Sequence, residues 1–172
     1  MAGGGGSERT ASGTRRAPGW LAPAIVLGIV AADQLSKVWV VAALSDGPLS
    51  IIGDDIELNL TRNSGASFSL FAGATPVLAV LAVLLSVFLV RAVRRTRDLL
   101  TVVALSLVLG GALGNLCDRI FRAPGFLEGH VVDFVKVGSF PTFNVADSAI
   151  TIGAILLIVL SLRGSPSEPA PS

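Results

Sequence analysis

The chain has one cysteine and one histidine in 172 residues, and only 15% of its side chains are charged. Each scarcity excludes something. The lone Cys117 can form no internal disulfide, and its place at the end of an apolar run suits a small buried hydrophobe. The lone His130 rules out a histidine-rich metal centre. What remains of that idea is a carboxylate site built from Asp118, His130, Asp133 and Asp147, although a single loop histidine is more often incidental. No local signature places a serine or cysteine nucleophile beside His130. With 52% hydrophobic residues and a mean hydropathy of +0.75, the chain is too apolar for a soluble domain, where about 25% of residues are charged. The net charge of +1 comes without a basic face, so nucleic acid is not an expected partner, and no internal repeat is present.

What is there instead is four long apolar segments, residues 20–44, 70–90, 99–117 and 146–162. Each has about the 17–25 residues that a membrane-spanning helix needs. They define one membrane domain, 20–162, between polar Gly-, Ser- and Pro-rich tails, 1–19 and 163–172, with nothing to bury and an expectation of disorder. Arg15 and Arg16 before the first segment resemble the start of a cleaved signal peptide. The segment then runs on through AADQLSKVWVVAAL with no polar mature region, so it reads as an uncleaved first helix.

Orientation follows from the flanking cations. Arg9, Arg15, Arg16, Arg91, Arg94, Arg95, Arg97 and Arg163 fall on one side, against Arg62, Arg119, Arg122 and Lys136 on the other. The excess places both termini in the cytoplasm and the loops 45–69 and 118–145 outside. Ile51, Ile52, Ile56, Leu58 and Leu60 alternate with polar residues in the first outer loop, which predicts short strands on the membrane surface. The fold class is therefore an all-α membrane protein of four transmembrane helices with a small extracytoplasmic β-rich element in the first outer loop.

The outer loops also collect most of the acids. Asp147 directly precedes the run 148–162, whose fifteen helical residues would span only about 22 Å of a hydrocarbon layer of about 30 Å. The helix must start earlier, and Asp147 lies near the membrane boundary, where an ionisable group is by default a functional site. A helix N-cap is the competing reading, with Asn144 able to cap equally well. Asp133 is the partner to name. It sits among Val131, Val132, Phe134 and Val135, surroundings that raise a carboxyl pKa, and its bland reading is a solvated loop acid. Two carboxylates that approach closely share one proton, giving a general base for water and a general acid for a leaving amine.

Other polar residues have two readings each. Asp33 and Lys37 are spaced for an intrahelical ion pair in a polar island, DQLSK: a lock between helices or a substrate contact. Asn115 and Asp118 share a helical face, and Asp118 near a helix C-terminus needs a cation, from Arg119 or another helix. It either anchors the helix in the headgroups or orders a site. Asn63 and Arg62, before the turn at Ser64 and Gly65, are candidates for holding an extended backbone or a headgroup.

Taken in order, DQLSK, TRNSGASFSLF, GGALGNLCDR, VVDF and FNVADSAI resemble the motif set of the bacterial lipoprotein signal peptidases (signal peptidase II), over residues 33–160. The resemblance implies an aspartyl endopeptidase of the plasma membrane that cuts diacylglyceryl-modified prolipoproteins just before the lipidated cysteine. It implies Asp133 and Asp147 as the catalytic pair, and Asn63, Asn115, Asp118, Arg119 and Asn144 as residues orienting the pair, the substrate backbone or the lipid. Asp33 and Lys37 match its first motif in a structural role. No metal or cofactor is expected, membrane lipids surround the enzyme, and a monomer is the expected state. A small proton-relay or transport component is the alternative, and a non-catalytic membrane assembly protein a third reading.

Overall fold

The computed structural model of the chain describes residues 15–53, 55–65 and 75–163. Four helices, α1 (Leu21–Ala43), α2 (Thr75–Arg95), α3 (Leu99–Phe121) and α4 (Val145–Arg163), are each long and apolar enough to cross a membrane. Between them run β1 (Leu49–Ile52), β2 (Ile56–Asn63) and β3 (Val131–Val137), an antiparallel sheet in that order. The sheet sits at the end of the bundle where α1 and α3 finish and α4 begins. At the other end, residues 15–17 pair backbone to backbone with 97–99, through Ala17 N–H to the Arg97 carbonyl and Leu99 N–H to the Arg15 carbonyl.

The expected segments become helices with shifted ends. α4 begins before Ser148, and its 19 residues give about 28 Å, enough to approach the hydrocarbon thickness. α2 continues to Arg95, because Arg94 and Arg95 in its last turn meet the negative end of the helix dipole. Its expected start at Leu70, the loop motif beyond Gly65, and the tails 1–14 and 164–172 lie outside the described residues. α3 runs on to Phe121, so Asp118 and Arg119 belong to a helix and not to the outer loop. Asp118 is fully buried, which excludes a headgroup anchor.

The sheet is larger than the first outer loop alone predicts, since β3 comes from the second. Val131–Val137 is not a solvated loop: its burial begins with four consecutive buried residues. Alternation sends Val132 and Phe134 onto Val40 and Leu44 of α1 and leaves Asp133 on the opposite face.

α3 is the central helix and packs against α1, α2 and α4. Lipid tails are as apolar as the helix surfaces, so close packing and interhelical polar contacts hold such a bundle, and small residues allow the approach. Two glycines of GGALG mark close approaches at the polar end. A Cβ on Gly111 would come within 2.3 Å of the Ala146 carbonyl oxygen, and one on Gly114 within 2.8 Å of Asp33 Oδ2. Both neighbours belong to the polar end of the bundle described below.

Gly111→Ala should therefore push the start of α4 away from α3 and cost about 1–3 kcal/mol. Gly28→Ala, where a Cβ meets nothing within 4 Å, should be neutral or stabilising. Thermal unfolding of the two variants in the same detergent distinguishes them, and equal melting would contradict the tight α3–α4 contact.

Candidate active site

The site is built outward from one ammonium. Lys37 Nζ has three protons and three acceptors, Asp33 Oδ2 at 2.8 Å, Asp118 Oδ2 at 2.8 Å and Asn115 Oδ1 at 3.1 Å. The side chains of Lys37, Asp33 and Asp118 are all closed to solvent. The remaining carboxylate oxygens have partners as well. Asp118 Oδ1 accepts from Arg122 Nε at 2.6 Å, and Asp118 Oδ2 accepts the Val132 N–H at 3.1 Å, which ties β3 to α3. Asp33 Oδ1 accepts the Ala146 N–H at 3.0 Å, which ties the start of α4 to α1. Two cations face two anions, so the buried cluster is neutral.

α4 starts with a reciprocal cap. Asn144 Oδ1 accepts the Asp147 N–H at 2.9 Å, and Asp147 Oδ2 accepts the Asn144 N–H at 3.2 Å, an arrangement of the capping-box type. With Asp33 on the Ala146 N–H, two of the orphan donors of the helix are satisfied by side chains. Asn144 is thus the N-cap, and Asp147 reaches back from the third helical position. The other carboxylate oxygen, Asp147 Oδ1, is free of the cap and accepts from Asn115 Nδ2 at 2.8 Å.

Asp133 arrives from the sheet. Asn63 on β2 is registered opposite Val131, two residues from Asp133 and on the same face, and its Nδ2 donates to Asp133 Oδ2 at 2.9 Å. Asn144 Nδ2 donates to Asp133 Oδ1 at 2.7 Å and to Asn115 Oδ1 at 3.1 Å. Asn144 therefore contacts both aspartates, and Asn115 links Lys37, Asn144 and Asp147. Burial pushes the Asp133 carboxyl up to about 6; the neighbouring Asp147 charge adds to the rise, and the bonds from Asn63 and Asn144 and the Lys37 charge oppose it. Asp133 and Asp147 open together, with Asn63, onto a cavity of about 630 Å³ walled by Phe140, Pro141, Thr142 and Phe143 on one side and Ser148, Thr151 and Ile152 of α4 on the other. The Phe140 and Phe143 rings meet edge to face at 5.9 Å. Two carboxyl groups in an apolar slot, one with a raised pKa, can hold one proton between them and activate water.

Eight of the nine residues singled out in the sequence join this network through their side chains: Asp33, Lys37, Asn63, Asn115, Asp118, Asp133, Asn144 and Asp147. The second cation of Asp118 is Arg122, one turn on, and not the adjacent Arg119, whose guanidinium donates to the Asn115 carbonyl at 3.3 Å. Arg62 and His130 lie with Arg122 and Val132 around a separate cavity, so His130 is not gathered with Asp133 and Asp147. Cys117 is half-buried on α3. Sequence reasoning missed Arg122, which its i,i+4 spacing from Asp118 signals, and Gln34, whose amide donates to Asp33, Asp118 and the Gly114 carbonyl. Nothing local distinguishes that glutamine from the rest of DQLSK.

A family profile described as signal peptidase (SPase) II matches residues 25–163. The lipoprotein signal peptidase of Rhodococcus jostii is 52% identical over 142 residues, covering 81% of this chain and 72% of the relative. That of Mycobacterium tuberculosis H37Rv is 46% identical over 164 residues, covering 95% and 80%. A bacterial membrane enzyme solved by the in meso method at 2.3 Å resolution superposes with a TM-score of 0.78 at 27% identity, over 92% of this chain and 98% of that one.

Two outcomes follow from the network. Lys37→Met leaves Asp33 and Asp118 facing each other without their shared cation, and should cost about 3–5 kcal/mol, read as a lowered unfolding midpoint in detergent. Asn63→Ala removes a donor to ionised Asp133 and so should raise its pKa further above about 6. Infrared titration of the protonated carboxyl band checks this, and a midpoint that stayed or fell would contradict the assigned bond.

Proposed function

The chain belongs to the signal peptidase II family and is an aspartic-type membrane peptidase acting in signal-peptide removal from lipoproteins, and from that premise we propose that Asp133 and Asp147 are its catalytic pair. The observation that carries this reading is their meeting in one cavity: they come from separate elements, a strand and a helix, and both are held by Asn144. Its substrate on this reading is a diacylglyceryl-modified prolipoprotein, cut on the N-terminal side of the lipidated cysteine.

The two carboxyls divide the work by their surroundings. In the reacting form one proton sits on Asp133, whose carboxyl burial raises to about 6, and Asp147 is the base. Water between them loses a proton to Asp147 as its oxygen attacks the scissile carbonyl carbon. Asp133 then gives its proton to the departing amide nitrogen as the C–N bond breaks. The products are a new carboxyl terminus on the signal peptide, which keeps the second hydrogen of the water, and a free amine on the cysteine, and a proton passing back from Asp147 to Asp133 resets the pair. No covalent enzyme intermediate and no cofactor enter a reaction in which water is the nucleophile. Asn63, Asn115 and Asn144 orient the carboxyls, Asp118 fixes β3 through the Val132 N–H, and Arg119 stands beside the pair as a cation for the substrate.

The sheet end of the bundle is the extracytoplasmic end on this reading. The signal helix lies in the bilayer along α4, its scissile bond enters the slot between Phe140–Phe143 and α4, and its acyl chains remain in lipid. The two outer loops clamp it. A proton relay would need ionisable groups through the membrane depth; among the described residues the buried ones, Asp33, Lys37, Asp118 and Asp133, all gather at the sheet end.

With the protein reconstituted beside a diacylglyceryl-modified prolipoprotein, Asp133→Asn and Asp147→Asn should each lower cleavage by at least about 10²-fold. The released lipoprotein should carry the modified cysteine at its N-terminus by mass. Either variant cleaving at the wild-type rate would end the proposal, and activity lost to a chelator and restored by metal would favour a metal site.

A further inference from the structure

The end of the bundle farthest from Asp133 and Asp147 holds a second cavity, of about 600 Å³, between α1, α2 and α3. Its walls are apolar, with Val26 from α1, Val93 from α2, and Val102 and Leu113 from α3. Its rim carries Arg94 and Arg97, and the backbone ladder between residues 15–17 and 97–99 holds the segment bearing Arg97. Arg15, Arg16, Arg91 and Arg95 crowd the same end, and none of these six arginines forms an ion pair among the described residues. The nearby carboxylate, Asp98, is occupied in capping α3, where one oxygen accepts both the N–H and the hydroxyl of Thr101.

The dimensions narrow the occupant. From Val102 to Leu113 the wall runs eleven residues along α3, about 16 Å, against about 15 Å for half a hydrocarbon layer. A cationic rim over an apolar groove one leaflet deep matches a phosphate above an acyl chain. The crowding of arginines repels the ammonium of a zwitterionic headgroup and attracts a headgroup with net negative charge. The positive-inside pattern would put this rim at the cytoplasmic surface, which is rich in anionic lipid. We propose that this groove is a binding site for one anionic glycerophospholipid, its phosphate between Arg94 and Arg97 and one acyl chain along Val26, Val93, Val102 and Leu113.

Native mass spectrometry of the full chain, released from detergent micelles containing equal phosphatidylglycerol and phosphatidylcholine, tests this. One phosphatidylglycerol should remain bound per chain, in preference to phosphatidylcholine. Arg94→Gln with Arg97→Gln should weaken retention roughly 30-fold, whereas Arg91→Gln with Arg95→Gln, outside the groove, should leave most of it. Ala22→Phe, which fills the groove and keeps every charge, should also abolish retention. Cleavage activity at the opposite end of the bundle shows that each variant is folded. Equal retention of both lipids, equal loss from the two arginine pairs, or full retention by folded Ala22→Phe would each overturn the site in favour of a diffuse lipid shell around the bundle.

Discussion

Lys37 is the contact on which the rest of the architecture depends. Two carboxylates, Asp33 and Asp118, are removed from solvent in a protein whose surroundings offer no water to screen them, and a single ammonium lies within 2.8 Å of each. The arrangement is tolerable only because it is closed: every proton on the ammonium and every oxygen on the carboxylates has a partner. Each of those partners is also a joint. Through them α1 grips α3, α3 grips β3, and α1 grips the first turn of α4. The proposed catalytic residues hang from the last two of these joints, so their placement derives from a salt bridge that neither of them makes.

The two ends of the bundle thus differ in kind. Toward the sheet, helices are drawn together by polar side chains over glycines that permit backbone approach. Toward the arginine end, contacts are apolar, as in the cluster of Leu89, Leu105, Val108 and Leu109, and the charges are at the rim. Chemistry that needs water and fixed dipoles belongs to the first end, and adhesion to a charged membrane surface to the second.

The helices were legible in the sequence because a bilayer leaves few alternatives to a long apolar run, and their limits were less so because those depend on partners. α3 continues past Cys117 only because Asp118 has Lys37, 81 residues earlier, to meet. The i,i+4 pair Asp33 and Lys37 could be read locally, and so could the shared face of Asn115 and Asp118, which both reach Lys37. β3 was hidden, since VVDFVKV becomes a strand by pairing with β2 and by burying Val132 and Phe134 on α1, neither of which is a local event. For Asp147 the cap reading was partly right: Asn144 is the N-cap, and Asp147 completes the cap with one oxygen while offering the other to Asn115. The family motifs pointed to the two aspartates, but that one asparagine holds both could be learned only from the fold.

The reciprocal cap at Asn144 and Asp147 makes the onset of α4 and the geometry of the cavity a single structural event. A chain still being inserted, with α4 not yet docked against α1 and β3, has an Asp147 without its cap and an Asp133 without Asn144. On the proposed mechanism such a chain holds two unrelated carboxyl groups and no peptidase. Assembly itself would then act as the activating step, sparing a nascent membrane protease any need for a propeptide or inhibitor to keep it silent until its helices have closed.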